Sequence, residues 1–167
     1  MKTLTTEERT RLEDFCWSQT TLAPRNATLI LLALSTGARA SEVLGLTWKD
    51  LDLVAGSVFI KTLKRGKNRE IPLSRRLLEL LKPMKGDDAS RLFPISYQRL
   101  NQIWQDWRPA KVPFHALRHT FALSLYHRRK DINLVKHCLG HRSLTSTTVY
   151  LDEAYTIGSL KKSMGVR

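Results

Sequence analysis

The segment from Pro24 to Leu34 is apolar around most of its helical circumference, and it constrains the fold more than any other stretch. Proline suits the first turn of a helix, where its missing N–H would have no partner anyway, and Gly37 is placed to end one. A helix that is apolar on most sides cannot lie on a surface, so the other elements must pack around it. Its unbroken apolar run, Leu29 to Leu34, is six residues, far short of the ~20 a membrane span requires. It reads as a central core helix.

The flanking sequence supplies the partners. Thr5 and Glu8 have capping-box spacing ahead of a helix whose apolar face is Leu12, Phe15 and Cys16. Arg39 to Leu46 predicts a short helix, ended by Thr47-Trp48-Lys49-Asp50. The texture then changes. Ser57 to Lys61 is strand-like, Arg69 to Pro72 is its return strand, and the basic, glycine-containing Lys64-Arg65-Gly66-Lys67-Asn68 forms the hairpin tip. Further helices are expected after Ser74, from Ser96 to Trp107, from Phe114 to Arg128, from Asp131 to Gly140 and from Ser143 to Tyr150, with a last one from Asp152 to Met164. The expected fold is α+β, mainly α-helical, with one small antiparallel β-sheet in a single domain over residues 1–167.

Charge narrows the partners. Lys plus Arg number 28 against 15 Asp plus Glu, a formal net charge of +13. Residues 1–60 carry 6 basic and 7 acidic side chains, so the whole surplus lies beyond them. This asymmetry fits a polyanion, most commonly nucleic acid; a solubilising surface is the bland alternative. Cys16 and Cys138 are the only cysteines, which excludes a disulfide scaffold and points to a reducing cytoplasm. No secretory signal follows Met1-Lys2.

Several groups are equivocal alone. Arg39 and Glu42 share a helix face at i, i+3, as many surface ion pairs do. His115 and Arg118 have the same spacing at a helix start, where phosphate oxygens are favoured but where a plain basic helix end would look identical. His119 falls on a neighbouring face and reads as structural. His137, Cys138 and His141 do not make a zinc site, because Gly140 breaks the helix that would align them and no further ligand follows at the right spacing. Tyr150 lies nine residues past His141, with Tyr97, Tyr126 and Tyr155 as competitors.

Taken in order, TGARASEVLGLTWKDLDL, KTLKRGKNREIPL, HALRHTFA and LGHRSLTSTTVY resemble the motifs of the tyrosine recombinase (phage integrase) family, over nearly the whole chain. The resemblance implies that family's catalytic-domain fold. It assigns Arg39 and the accompanying Glu42 from the first motif, His115 and Arg118 from the third, and His141 and Tyr150 from the last. The family's hairpin lysine lies eight residues before the proline closing the return strand, which selects Lys64 over Lys61 and Lys67. The implied activity is site-specific cleavage and rejoining of DNA strands through a 3′-phosphotyrosyl link formed by Tyr150. Arg39 and Arg118 would grip the phosphate, His115 and His141 would add donors or assist proton transfer, and Lys64 would protonate the leaving 5′ oxygen. Glu42 would orient Arg39 or a histidine. No metal, ATP or other cofactor is implied. Arg65, Lys67 and Arg69 of the hairpin are expected to contact DNA. The implied partners are double-stranded DNA and further protomers in a tetrameric synapse, with a free monomer otherwise. The tail, residues 151–167, is expected to dock on a neighbouring protomer, as the family's C-terminal segments often do, with packing on its own domain as the alternative.

Two departures stand out. Leu151-Asp152-Glu153 follows the tyrosine where many members have a polar residue and then His. No N-terminal DNA-binding domain of the kind most members carry is expected within these 167 residues, as in an excised catalytic domain or a member that consists of the catalytic domain alone. The rival readings are a type IB topoisomerase and a non-catalytic DNA-binding regulator on the same scaffold.

Overall fold

The computed structural model describes residues 2–62 and 66–148; Lys64, Arg65, Tyr150 and the expected helix from Asp152 to Met164 lie outside the described residues. The first helix, α1 (Thr6–Ser18), opens on the expected capping box, with Thr5 Oγ1 accepting from the Glu8 N–H and the Glu8 carboxylate accepting from the Thr5 N–H. Leu12 and Cys16, one turn apart, point into the core. Phe15 does not join them: it is 41% exposed and meets Trp107 edge-on at 5.1 Å. Its position flanks the buried stripe, so its ring covers the rim instead.

The second helix, α2 (Pro24–Thr36), is the central one. Residues Ala27 to Leu34 are all buried, and α1, α3 (Ala40–Gly45), α4 (Arg75–Leu81) and α6 (Ala116–Arg129) all pack on it. Gly37 ends it in the left-handed region at φ 63°, and the Phe121 ring of α6 fills the space a side chain would need. The helix therefore stops with its last carbonyls pressed toward α6.

Three strands, β1 (Leu51–Asp52), β2 (Ser57–Ile60) and β3 (Arg69–Pro72), form an antiparallel sheet in that order, with Val58 opposite Ile71 and Ile60 opposite Arg69. Val58, Ile60 and Ile71 face the core, while Phe59 and Glu70 face outward. β1 is an addition to the expected hairpin; two residues leave no readable alternation and exist as a strand only through pairing with Ser57 and Val58.

Ser74 and Ser96 cap α4 and α5 (Tyr97–Trp107) as the sequence suggests. The next helix, α6, starts at Ala116 rather than Phe114, because Pro113 to His115 make a turn and Phe114 drops into the core against Trp104. Asp131 caps α7 (Ile132–Leu139), and Gly140 ends it at φ 67°. Residues 145–148 are helical again. Among the described residues no helix is long and apolar enough to cross a membrane. The packing gathers five points at one corner: the C-terminal end of α2, the start of α3, the base of the β2–β3 hairpin, the start of α6 and the end of α7.

Candidate active site

Glu42 is the hub of that corner. It lies in the first turn of α3, and its carboxylate accepts from the Arg39 backbone N–H (2.8 Å) and from Arg39 Nη1 (3.0 Å). A helix N-terminus favours this placement, since its leading N–H groups lack intrahelical partners. The same carboxylate takes both terminal nitrogens of Arg69, at 2.8 and 3.3 Å, and Arg118 Nη1 stands 3.9 Å away. One carboxylate thus serves three guanidinium groups from three sequence-distant segments. Burial by itself would raise the Glu42 carboxyl, but the Arg69 and Arg39 hydrogen bonds and the Arg69 and Arg118 charges hold it below the usual carboxylate range. The cluster keeps an excess of positive charge.

The three arginines differ in exposure. The Arg39 side chain is 34% exposed, whereas those of Arg69 and Arg118 are buried. Arg118 donates Nη1 to the Gly37 carbonyl and Nη2 to the Leu139 carbonyl, both at 2.8 Å. These carbonyls terminate α2 and α7, the negative ends of the two helix dipoles, so a buried cation is well placed there. Arg118 also reaches His141 Nε2 at 3.0 Å, while His141 Nδ1 lies 2.9 Å from Thr147 Oγ1. Burial, then the charges of Arg118, Arg39 and Arg69, push the His141 imidazole down to about 4. His115, at the start of α6, is exposed and sits edge-on to His119, with ring centres 4.6 Å apart. Partial desolvation and the neighbouring Arg118 and Arg39 lower its pKa as well.

A cleft of about 320 Å³ opens beside these groups, with Arg39, Ser41 and His115 on one side and Tyr97, Asn101 and Arg108 of the α5 side on the other. It has cations, hydroxyls and amides but no carboxylate on its walls, a surface suited to an anion. The α5 side of this cleft was not among the sequence-derived site residues; its polar face at Tyr97, Asn101 and Gln105 is the signal that could have marked it.

Arg39, Glu42, His115, Arg118 and His141, read as site residues from the sequence, do converge. Lys64, Arg65 and Tyr150 lie outside the described residues. Lys67 is exposed. Arg69 requires a correction: it was expected to contact DNA, but it is 2% exposed and committed to Glu42. Alternation along β3 turns Arg69 and Ile71 inward, so its charge belongs to the interior. Lys61 is also engaged, with Nζ 2.6 Å from Asp50 Oδ1. Thr147, fully buried against His141, is a site residue the sequence reading missed. Of the rival tyrosines, Tyr126 is buried in α6 and Tyr97 is 59% exposed on the cleft.

The phage integrase family model matches residues 2–156. Tyrosine recombinase XerA of Pyrococcus furiosus is 31% identical over 141 residues, covering 75% of this chain and 49% of that protein. Tyrosine recombinase XerD of Mycobacterium tuberculosis is 33% identical over 150 residues, covering 77% of this chain and 48% of that protein. The chain thus spans about half the length of the curated relatives it matches. Among solved structures, XerH site-specific recombinase in a post-cleavage complex with its palindromic difH substrate superposes with a TM-score of 0.77 at 26% identity, covering 99% of this chain and 53% of that one. The catalytic domain of bacteriophage HP1 integrase superposes with a TM-score of 0.74 at 25% identity, covering 98% of this chain and 94% of that one.

Proposed function

The chain belongs to the phage integrase family, and from that premise we propose that it is the catalytic unit of a site-specific DNA recombinase that cuts and reseals strands through a covalent tyrosyl–DNA intermediate. The observation that carries this reading is the Glu42 hub, which joins Arg39, Arg69 and Arg118 and, through Arg118, His141. A metal-independent phosphoryl transfer needs fixed positive charge where the pentavalent phosphorus gathers negative charge. A carboxylate hydrogen-bonded to Arg39 and Arg69, with Arg118 3.9 Å away, preorganises that charge while leaving it in excess.

In this reading Tyr150 Oη attacks phosphorus, the Oη–P bond forms and the P–O5′ bond breaks. Arg39, partly exposed on the cleft, meets the phosphate oxygens, and Arg118 adds charge from the buried side. His115, held neutral near pH 7 by its surroundings, suits acceptance of the tyrosine proton. Lys64 returns a proton to O5′. The pairing of Lys61 with Asp50 supports Lys64 over Lys61 for this role. Attack by the 5′ hydroxyl of another strand reverses the sequence, and the ester energy is conserved, so no ATP is consumed. Double-stranded DNA is the partner. A tetrameric synapse, docking of residues 151–167 on a neighbouring protomer, and DNA contacts by Arg65 and Lys67 belong to the same proposal. XerH, solved on its difH substrate, supports DNA as the partner.

The test is covalent capture. The wild-type chain is incubated with a pool of randomised-sequence duplexes carrying a nick, so that the strand 3′ to the cut diffuses away. A denaturing gel should then show a protein–DNA adduct, and sequencing it yields the site. The adduct should be lost in Tyr150→Phe and kept in Tyr97→Phe and Tyr155→Phe. Loss in Tyr97→Phe with retention in Tyr150→Phe overturns the nucleophile, and no wild-type adduct overturns the recombinase reading.

A further inference from the structure

We propose that Arg69 is a positioning residue for the cleavage step, a buried strut that fixes the base of the hairpin carrying Lys64 against the Glu42 hub. The inference rests on the recombinase reading and extends it to a residue that is buried and committed to Glu42.

Three sets of contacts meet at Arg69. Its two terminal nitrogens grip both oxygens of Glu42, across 27 residues of sequence. Its Nη1 also lies 3.4 Å from Thr62 Oγ1, at the end of the outgoing arm of the hairpin. That hydroxyl donates to the Lys67 carbonyl at 2.9 Å, and the Thr62 N–H donates to Asn68 Oδ1 at 2.9 Å, so both arms are tied together below the tip. The third contact is with the turn that carries His141. Lys67 N–H donates to the Gly140 carbonyl at 2.9 Å, and the Arg69 side chain packs directly against Gly140, where a Cβ would come within 3.2 Å of its Cδ and Nη1. Thr62 and Gly66, the described residues flanking the tip, are thereby referenced to Glu42 and to the His141 turn.

These contacts hold the described base of the hairpin in register with the arginines. The chain leaves Arg69 Nε buried with no hydrogen-bond partner, the only such side-chain atom among the described residues. That orphaned N–H is unfavourable and is retained with the two-point grip on Glu42 that only a guanidinium offers. A lysine at 69 would keep the charge and lose the fork. Misplacing a proton donor by about 1 Å can cost roughly 100-fold in rate, so a loosened strut should act on protonation of the leaving oxygen.

The experiment uses the duplex identified by covalent capture, synthesised with either an ordinary phosphodiester or a 5′-bridging phosphorothiolate at the cut. A thiolate leaves without a proton donor. Arg69→Lys and Thr62→Val should each slow cleavage of the ordinary substrate, roughly 10- to 100-fold for Arg69→Lys and less for Thr62→Val. On the phosphorothiolate both should return to within about 3-fold of wild type, as Lys64→Ala should, with DNA affinity unchanged. Thr62→Val leaves the Arg69–Glu42 pair intact and serves if Arg69→Lys unfolds. Equal defects on both substrates, or no defect in either variant, overturn the positioning role while leaving the recombinase reading in place. A wild-type chain that forms no adduct overturns that reading, and this inference with it.

Discussion

Arg118 Nη2 and His141 Nε2 lie 3.0 Å apart, and only one of them can be the donor. A guanidinium has no acceptor, so Nε2 accepts, and the neutral ring must carry its proton on Nδ1, facing Thr147 Oγ1 at 2.9 Å. His141, read from the sequence as a donor to phosphate or an aid to proton transfer, here accepts from Arg118. The ring's depressed pKa, about 4, agrees with that role.

Thr147→Val should therefore disturb the site without touching phosphate. The substitution keeps the volume and removes the acceptor for Nδ1–H, which leaves a buried donor unpaired at a cost of about 1–3 kcal/mol. The ring should shift toward the Nε2–H tautomer, which opposes Arg118. Nitrogen-15 NMR of the His141 side chain reads the tautomer directly. Thr147→Ser should retain the wild-type pattern, and an unchanged spectrum in Thr147→Val would remove the threonine from the site.

Glu42→Gln should destabilise the domain strongly. The amide keeps the shape but leaves three arginines without their shared counter-charge, two of them buried. Breaking a buried ion pair from one side typically costs about 3–5 kcal/mol. Urea unfolding of the variant should show the midpoint fall with an unchanged slope. A loss under about 1 kcal/mol, the range of exposed pairs, would mean that the arginines are compensated elsewhere.

Stability should fall as the pH drops from about 6.5 toward about 4. His119 and His141 both titrate near 4 in the folded chain against 6.5 for an ordinary histidine. Between these values the unfolded chain binds more protons than the folded one, so stability rises with pH there. Below that window Glu42, whose folded pKa is lowered, begins to lose the stabilisation it holds above the unfolded carboxyl pKa of about 4.3. Urea midpoints at pH 7, 5.5 and 4.5 test the sign, and flat midpoints contradict it.

Arg39→Ala should slow covalent capture by roughly 10²–10³-fold, the usual effect of removing one preorganised donor from a transition state. Arg39→Lys should recover only part of this, because one ammonium cannot match the planar fork that reaches Glu42 while presenting further donors. Single-turnover rates on the captured duplex give the comparison, and full activity in the lysine variant removes Arg39 from the phosphate clamp.

Local physics made much of this protein readable from its sequence. Thr5 with Glu8, Ser74, Ser96 and Asp131 each bond to backbone within three residues, and Gly37 and Gly140 adopt left-handed turns at their own positions, so these helix ends need no distant partner. The apolar circumference of α2 likewise required it to be central. The motifs that resemble those of the phage integrase family picked out Arg39, Glu42, His115, Arg118 and His141, and the fold brings them to one corner. Tertiary structure alone decided what each cation does. Arg69 sits in the most basic stretch of the chain and reads as a DNA contact, yet the inward register of β3 sends it to a carboxylate 27 residues earlier. β1 exists because Ser57 and Val58 offer it an edge, and Phe15 stays at the surface because Leu12 and Cys16 already define the stripe that meets α2. Charge and periodicity are properties of a segment, whereas burial, pairing and the direction of a hydrogen bond belong to the neighbours that folding brings.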